Sequence, residues 1–127
     1  MPLVRISLKK RKSPTDLAAL SESVHRAMVE TINVPPDDRF QMIHEHSPES
    51  LVADRRYLGI ERSDDVVLIQ ITLNAGRTLE QKRALYRAIA DNLAASPGLR
   101  REDILVSLIE VPKENWSFGN GEMSYVK

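Results

Sequence analysis

Residues 66–81 read VVLIQITLNAGRTLEQ and carry the signals that decide the fold. Val66 to Leu73 is apolar at nearly every position, as expected for a central strand that is buried on both faces. Asn74-Ala75-Gly76 then predicts a turn. Thr78 and Gln81 have the spacing of a capping box, in which two residues cap the first turn of a helix reciprocally. A central strand, a short turn and a helix are therefore expected in this order.

The helix after Thr78 is expected to end at Ser96-Pro97-Gly98, because proline cannot continue it. Its predicted buried stripe consists of Leu79, Leu85, Ile89 and Leu93. Ile104 to Val111 is again mostly apolar and predicts a further strand. Residues 66–111 therefore have the pattern of one β-α-β unit.

The first part of the chain repeats this pattern. Leu3 to Leu8 alternates apolar and polar residues, which predicts a strand. Ser13 and Pro14 are typical of an N-cap and the first helical position. The apolar stripe of the helix that follows consists of Leu17, Leu20, Val24, Met28 and Ile32. Asn33 can close this helix, and Arg39 to His46 is the next predicted strand.

Two such units, about residues 2–46 and 66–111, predict an α+β (α/β) protein with one four-stranded sheet and both helices on one face. The strands inside each unit are expected to be parallel, with right-handed crossovers. Residues 1–127 are expected to form a single domain with an aromatic, glycine-containing tail over residues 112–127. Because apolar residues occur on both faces of the central strands, we expect the uncovered face to pack against further copies of the chain. The loop of residues 47–65 is long, which is often a sign of function.

Composition excludes several classes of protein. The 18 Lys and Arg residues balance the 18 Asp and Glu residues, so nothing attracts the whole chain to nucleic acid or anionic membranes. There are no cysteines, which excludes disulfides, thiolate zinc sites and thiol catalysis. The apolar runs are too short for a membrane span, and the basic run Lys9 to Lys12 leaves no room for a signal peptide. A cytoplasmic protein is expected.

Pro2 is the first candidate for chemistry. Removal of Met1, expected before a small residue, would leave a secondary amine at the start of the chain. Chain-terminal amines have a pKa of about 7.7 to 8.0, so modest desolvation or a nearby cation would make the nitrogen a base at neutral pH. A nearby carboxylate would instead keep it protonated. The alternative is an ordinary start before a strand.

Three further motifs accompany the opening Pro-Leu-Val-Arg-Ile. They are VPPDDRFQ at residues 34–41, Gly-Arg-Thr at residues 76–78, and Trp-Ser-Phe-Gly at residues 116–119. Together they resemble the tautomerase superfamily, whose members use an amino-terminal proline, and within it the malonate semialdehyde decarboxylase group. The resemblance covers nearly the whole chain.

The resemblance implies a cofactor-independent homotrimer that acts on small carboxylated carbonyl substrates. It makes Pro2 the general base or acid, and Asp38 a residue that interacts with the Pro2 nitrogen or activates water. It assigns the substrate carboxylate to Arg77, whose planar, permanently charged guanidinium suits this role. The aromatic side chains expected to form an apolar wall are Phe40, Trp116 and Phe118. From the residues alone, Asp38 can equally be an ordinary turn residue.

The sequence departs from the best-known pattern of the group at Ala75, where some members have a second arginine. Asn74 or another arginine would have to replace that cation. Keto-enol tautomerisation and decarboxylation of malonate semialdehyde both stay open. So do water addition to unsaturated acids (a hydratase or dehalogenase) and a non-enzymatic oligomeric binding module.

The three histidines are weaker candidates for a functional site. His44 and His46 are two apart on a predicted strand and share a face, a spacing that can hold a metal. The sequence offers no clear third ligand, so no metal site is predicted. His25, in the first helix, is expected to be a surface or packing residue.

Overall fold

The computed structural model describes residues 2–10 and 12–127. The order of elements confirms the duplicated pattern: β1 (Leu3–Lys9), α1 (Pro14–Ile32), β2 (Phe40–His46), β3 (Val67–Asn74), α2 (Leu79–Ala95) and β4 (Ile104–Val111). Met1 and Arg11 lie outside the described residues. Two statements therefore stay predictions, namely that Met1 is removed and that Arg11 belongs to an exposed basic run.

The four strands form one sheet in the order β2-β1-β3-β4. The strands are parallel within each unit, as predicted, and the two units meet through the antiparallel pair β1 and β3. The strand over residues 66–73 is shifted by one position and ends at Asn74, which we expected in the turn. Asn74 stays in the sheet because it pairs with Val111 of β4.

This topology determines which residues meet at one end of the sheet. Leu3 at the start of β1 is paired with Phe40, the first residue of β2, and with Thr72 near the end of β3. The end of β3 is in turn paired with the end of β4, after which the tail begins. Pro2, the start of β2, the loop after β3 and the tail therefore converge.

Both helices pack on the same face of the sheet. Their buried residues and alternate residues of β1 and β3 form the core, which includes Ile6, Leu20, Met28, Ile69, Ile71, Leu85, Ile89 and Leu93. Leu17 is only partly buried against it. The prediction for Leu79 was wrong, since 59% of this residue is exposed. Leu79 is the first residue of α2, so it lies at the helix end, before the part of the helix that packs on the core.

The helix ends follow the predicted local signals. The Ser13 hydroxyl accepts a hydrogen bond from the Asp16 N–H at 3.1 Å. Asn33 adopts the left-handed conformation with φ of 59° and ends α1. Thr78 and Gln81 form the complete capping box at the start of α2.

The other face of the sheet has no helix on it and is mixed in character. Exposed apolar side chains do occur there, but most belong to the edge strands, namely Phe40 and Met42 of β2 and Leu105 and Ile109 of β4. Of the central strands, on which the prediction was based, β1 contributes Leu3. A polar row of Arg5, Gln70 and Ser107, one residue from each of three paired strands, interrupts them. We call this surface the open face.

The end of the sheet opposite Pro2 is closed by the loop of residues 47–65. Asp103, fully buried, holds this loop through hydrogen bonds from the Ser63 N–H at 2.7 Å and the Ser63 hydroxyl at 2.6 Å. Among the described residues, no helix has the length and apolar character required to span a membrane.

Candidate active site

A cavity of about 280 Å³ lies where the start of β1 meets the tail, and Pro2 is in its wall. Pro2 is buried, and Leu3 and Phe40 border the cavity on the same side. Trp116, Ser117 and Phe118 of the tail close the other side. The structure thus brings four predicted site residues together, namely Pro2, Phe40, Trp116 and Phe118.

The aromatic side chains at this cavity form one cluster centred on Phe118. Its ring centroid lies 5.3 Å from that of Trp116 in a stacked arrangement and 5.7 Å from that of Phe40. Tyr125 packs edge-on at 5.4 Å. The tail folds back to make this contact, because the Phe118 N–H donates to the Ser124 hydroxyl at 2.9 Å.

Asn74 anchors the tail to the sheet. Its side-chain oxygen accepts a hydrogen bond of 2.7 Å from the Trp116 indole N–H, which bridges 42 positions of sequence. The place of Asn74 at the end of β3, fixed by its pairing with Val111, makes this contact possible. The amide NH₂ group of Asn74 is not used in this bond and can still donate to a ligand.

Arg77 is held by backbone carbonyl groups. One terminal nitrogen of its guanidinium donates to the Asn74 carbonyl at 3.1 Å, and the other donates to the Ile32 carbonyl at the end of α1 at 3.2 Å. A guanidinium has five N–H groups, so these two bonds orient the group without exhausting its donors. Within the described chain Arg77 makes no ion pair, which fits a cation available to an anionic ligand.

Asp38 is half-buried and ends the turn that joins α1 to β2. Its N–H donates to the Pro35 carbonyl at 3.0 Å. The next carbonyl, that of Pro36, lies 2.9 Å from the ring nitrogen Nε2 of His25. His25 is only 3% exposed, so it packs in the interior and does not lie on the surface.

Tyr125 connects the charged residues with the aromatic cluster. Burial raises the pKa of its hydroxyl, the negative charge of Asp38 raises the pKa further, and the positive charge of Arg77 lowers it. The Tyr125 hydroxyl is therefore within electrostatic reach of both Asp38 and Arg77. Tyr125 lies in the aromatic tail predicted over residues 112–127 but was not predicted as a site residue, because its contact with Phe118 depends on the tail folding back.

Two groups of residues singled out in the sequence are not part of the cavity wall, namely the three polar residues near it and the two histidines of β2. Asp38, Arg77 and Asn74 do not line the cavity itself, and Tyr125 and Trp116 connect them to it. His44 and His46 lie on β2 with their ring centroids 6.3 Å apart. Over residues 2–10 and 12–127, no group of three or more His, Cys, Asp or Glu side chains could hold a metal ion.

The arrangement suits a small anionic molecule. The cavity walls are mainly aromatic and apolar, so the few polar groups beyond these walls would set the orientation of a ligand that reaches them. Arg77 offers a positive charge, the Tyr125 hydroxyl a hydrogen-bond donor, and Asp38 a carboxylate that can accept a proton.

The duplicated β-α-β sheet with a cavity at Pro2 defines the β-α-β tautomerase fold. Comparison of sequences agrees, since two family models, both described as "Tautomerase enzyme", match residues 38–119 and residues 2–67. The chain belongs to the tautomerase family of enzymes.

Individual members of the family are similar to this chain over nearly its whole length. The probable tautomerase YusQ of Bacillus subtilis (strain 168) is 42% identical over 127 residues, which cover 100% of both chains. The probable tautomerase YrdN of the same organism is 32% identical and covers 99% of this chain and 97% of its own.

Among solved structures, the FG41 malonate semialdehyde decarboxylase inhibited by 3-bromopropiolate aligns with a TM-score of 0.91 and 36% identity, over 97% of this chain and 93% of its own. A second malonate semialdehyde decarboxylase, described with decarboxylase and hydratase activities, has a TM-score of 0.91 and 31% identity, over 96% and 94% of the two chains. A fused 4-OT symmetric trimer aligns with a TM-score of 0.78 and 27% identity, over 94% of each chain.

Proposed function

We propose that this enzyme moves protons on small carboxylated carbonyl compounds, with the nitrogen of Pro2, freed by removal of Met1, as general base or acid. The observation that carries the proposal is the position of Pro2, buried in the wall of a cavity of about 280 Å³ that aromatic side chains line. Partial exclusion of water from such a cavity strengthens electrostatic interactions with a substrate.

Arg77 is proposed to bind the substrate carboxylate. Its two bonds to backbone carbonyls hold the guanidinium plane in place, so little side-chain freedom is lost when an anion binds. The Asn74 NH₂ group is the proposed second donor, in place of the arginine that some related proteins have at the position of Ala75.

Tyr125 is proposed to donate a hydrogen bond to the substrate oxygen on which charge develops. A tyrosine hydroxyl is protonated at neutral pH, as a donor must be, and the raised pKa of Tyr125 extends this to higher pH. Asp38, whose charge acts on the same hydroxyl, is proposed to interact with the Pro2 nitrogen or to activate a water molecule.

Two reactions use these groups in different ways. In a tautomerisation, the neutral Pro2 nitrogen takes a proton from the carbon beside the carbonyl and returns it to the enolate oxygen, with the atoms of the substrate conserved. In a decarboxylation, the protonated Pro2 nitrogen polarises the aldehyde while the carbon–carbon bond to the carboxylate breaks. Carbon dioxide leaves, and the enolate carbon then receives a proton.

The decarboxylases of similar structure favour the second reaction as a candidate, and the relatives named as tautomerases favour the first. Water addition to unsaturated acids with Asp38 as base is the alternative that the hydratase activity of one relative favours. A non-enzymatic role is not proposed, because the chain belongs to a family of enzymes.

A homotrimer is the proposed assembly. Structural neighbours include trimers, and the exposed apolar residues of the open face are the surface that such an assembly would cover. Its oligomeric state is measured directly by sedimentation or by mass spectrometry under native conditions.

The test measures turnover of phenylpyruvate and of malonate semialdehyde by protein whose mass confirms the loss of Met1. We expect turnover of at least one of them, and a loss of roughly 100-fold to 10,000-fold in Pro2→Ala, the range of a general acid or base. The matched control is Pro14→Ala, because Pro14 is an exposed proline at the start of α1 and does not line the cavity. Equal turnover in Pro2→Ala and the wild type would contradict the proposal.

A further inference from the structure

His25 makes a contact that packing alone does not explain. Its ring nitrogen Nε2 lies 2.9 Å from the Pro36 carbonyl oxygen, and only 3% of the residue is exposed. A carbonyl oxygen can only accept, so Nε2 carries the proton and donates it. The second ring nitrogen, Nδ1, is buried and has no hydrogen-bond partner among residues 2–10 and 12–127.

An apolar side chain would fill this space in the interior with no such unpaired atom. The histidine therefore adds one thing that phenylalanine or leucine could not, which is the hydrogen bond to Pro36. That bond is made to the residue two positions before Asp38, in the turn that carries the Asp38 carboxylate.

The two prolines limit the hydrogen bonds that the turn can make for itself. Pro35 and Pro36 have no backbone N–H, so neither can donate a hydrogen bond. Within the turn, the Asp38 N–H donates to the Pro35 carbonyl at 3.0 Å. The Pro36 carbonyl in the middle of the turn is left for a donor from another element, and α1 supplies it through His25.

On the other side of Asp38, the chain is held by weaker or more distant links. Arg39 and Glu22 form an ion pair at 2.5 Å, but both side chains are well exposed, and exposed pairs contribute little. Gln41, which lies three residues beyond Asp38, is hydrogen-bonded to Ser21 of α1. His25 is thus a buried anchor close to Asp38.

We propose that His25 is a positioning residue, which holds the Asp38 turn in place through the Pro36 carbonyl so that the Asp38 carboxylate stays close to Tyr125. The proposal rests on the proposed function of Asp38. His25 does not touch the substrate, and its effect on turnover passes through the backbone of the turn.

Three variants test this role. His25→Phe keeps an aromatic ring of similar size but removes the donor. His25→Gln restores an N–H donor near the position of Nε2. The matched control is Ser23→Ala, because Ser23 is also buried on α1 and donates to a distant carbonyl, that of Ser96 at 2.7 Å, away from the cavity.

The first measurement compares kcat and KM in these variants. A misplacement of about 1 Å in a site can cost on the order of 100-fold in rate, so we expect kcat of His25→Phe to fall by roughly 10-fold to 100-fold. KM should change less, since neither of the two carbonyls that hold Arg77, those of Asn74 and Ile32, belongs to the Asp38 turn. His25→Gln should recover most of kcat, and Ser23→Ala should keep it. Equal losses in His25→Phe and Ser23→Ala would overturn the proposal.

The second measurement does not need activity. Because the Asp38 charge raises the pKa of Tyr125, a displaced Asp38 should lower the pKa of Tyr125 in His25→Phe toward its value in Asp38→Asn. Tyrosine-labelled protein followed by nuclear magnetic resonance gives this value. An unchanged Tyr125 pKa would overturn the proposal, even where kcat has fallen. A lowered pKa in a protein inactive on both substrates would support the role of His25 while rejecting the proposed function.

Discussion

Each end of the sheet has an aspartate beside it, and the two carboxylates lie in different surroundings. At the end away from Pro2, Asp103 is fully buried, and both its oxygens accept hydrogen bonds from Ser63. At the Pro2 end, Asp38 is half-buried, and its charge acts on the Tyr125 hydroxyl at the margin of a cavity. The first carboxylate closes a loop, whereas the second is the one proposed to take part in the reaction. A buried carboxylate whose oxygens accept hydrogen bonds from the protein itself therefore indicates a structural role.

The antiparallel pairing of β1 with β3 produces this division. The two β-α-β units have the same layout, yet the start of one unit lies beside the end of the other. One end of the sheet therefore combines Pro2 and the Asp38 turn of the first unit with Arg77 and the tail of the second. The other end receives the loop of residues 47–65 and the start of β4.

The largest expected effects separate the two carboxylates. Asp38→Asn should lower kcat by roughly 100-fold to 10,000-fold with little change in the free energy of unfolding. Asp103→Asn should do the reverse, since it replaces an oxygen acceptor of Ser63 with a donor and leaves buried groups mispaired, at about 1 to 3 kcal/mol for each group. Kinetics and urea unfolding measure the two quantities. Stability loss in Asp38→Asn without loss of kcat would break the comparison.

Arginines at the two ends give the next test. Arg77→Gln should raise KM by roughly 10-fold to 100-fold, because a hydrogen bond to a charged group contributes about 1.5 to 3 kcal/mol. Arg55→Gln is the matched control, since Arg55 pairs with Asp64 at the opposite end of the sheet. Steady-state kinetics with a carboxylated substrate should show no change in the control. An unchanged KM in Arg77→Gln would remove Arg77 from substrate binding.

Trp116→Phe should have a smaller effect. It keeps an aromatic ring beside Phe118 but removes the indole N–H that bonds to Asn74 at 2.7 Å. We expect a loss of about 1 kcal/mol in the free energy of unfolding, the net contribution of one such bond. Asn74→Ala should give a similar loss, and the double variant should lose no more than either alone. Additive losses would mean that the two residues do not act through this bond.

The smallest expected effects are shifts in the pKa of Tyr125. Asp38→Asn should lower it, because it removes the negative charge that opposes ionisation, and Arg77→Gln should raise it. Below about pH 10 Tyr125 is neutral in the folded and the unfolded chain, so it adds no pH dependence there. Above that, the unfolded chain ionises first, and stability should fall as pH rises to the folded pKa. Shifts of the same sign in the two variants would contradict the geometry.

Much of the fold could be predicted from local signals. Asn33, the capping box at Thr78 and the bounds of β4 were all expected, because each depends on nearby residues. The prediction for Leu79 was wrong because the spacing of a stripe does not show where along the helix burial begins, and Leu79 is the first residue of α2. Asn74 was expected in a turn but is kept in the sheet by Val111, a partner 37 positions away.

The site was harder to predict than the fold. Pro2, Phe40, Trp116 and Phe118 were expected from a resemblance, and the structure brings them to one cavity. Tyr125 was missed because its contact with Phe118 depends on the tail folding back through Ser124. The bond from His25 to Pro36 was missed because nothing in a helical pattern shows which residue faces the following turn.

The central claim is that chemistry at this end of the sheet uses the nitrogen of Pro2. The most direct measurement compares the turnover of protein that has lost Met1 with that of protein in which an added residue after Met1 leaves the Pro2 nitrogen in a peptide bond. Both are assayed with phenylpyruvate and malonate semialdehyde over a range of pH. The account predicts turnover that follows one ionisation near neutral pH in the first protein and is lost in the second. Equal turnover in the two, with the same pH profile, would contradict it.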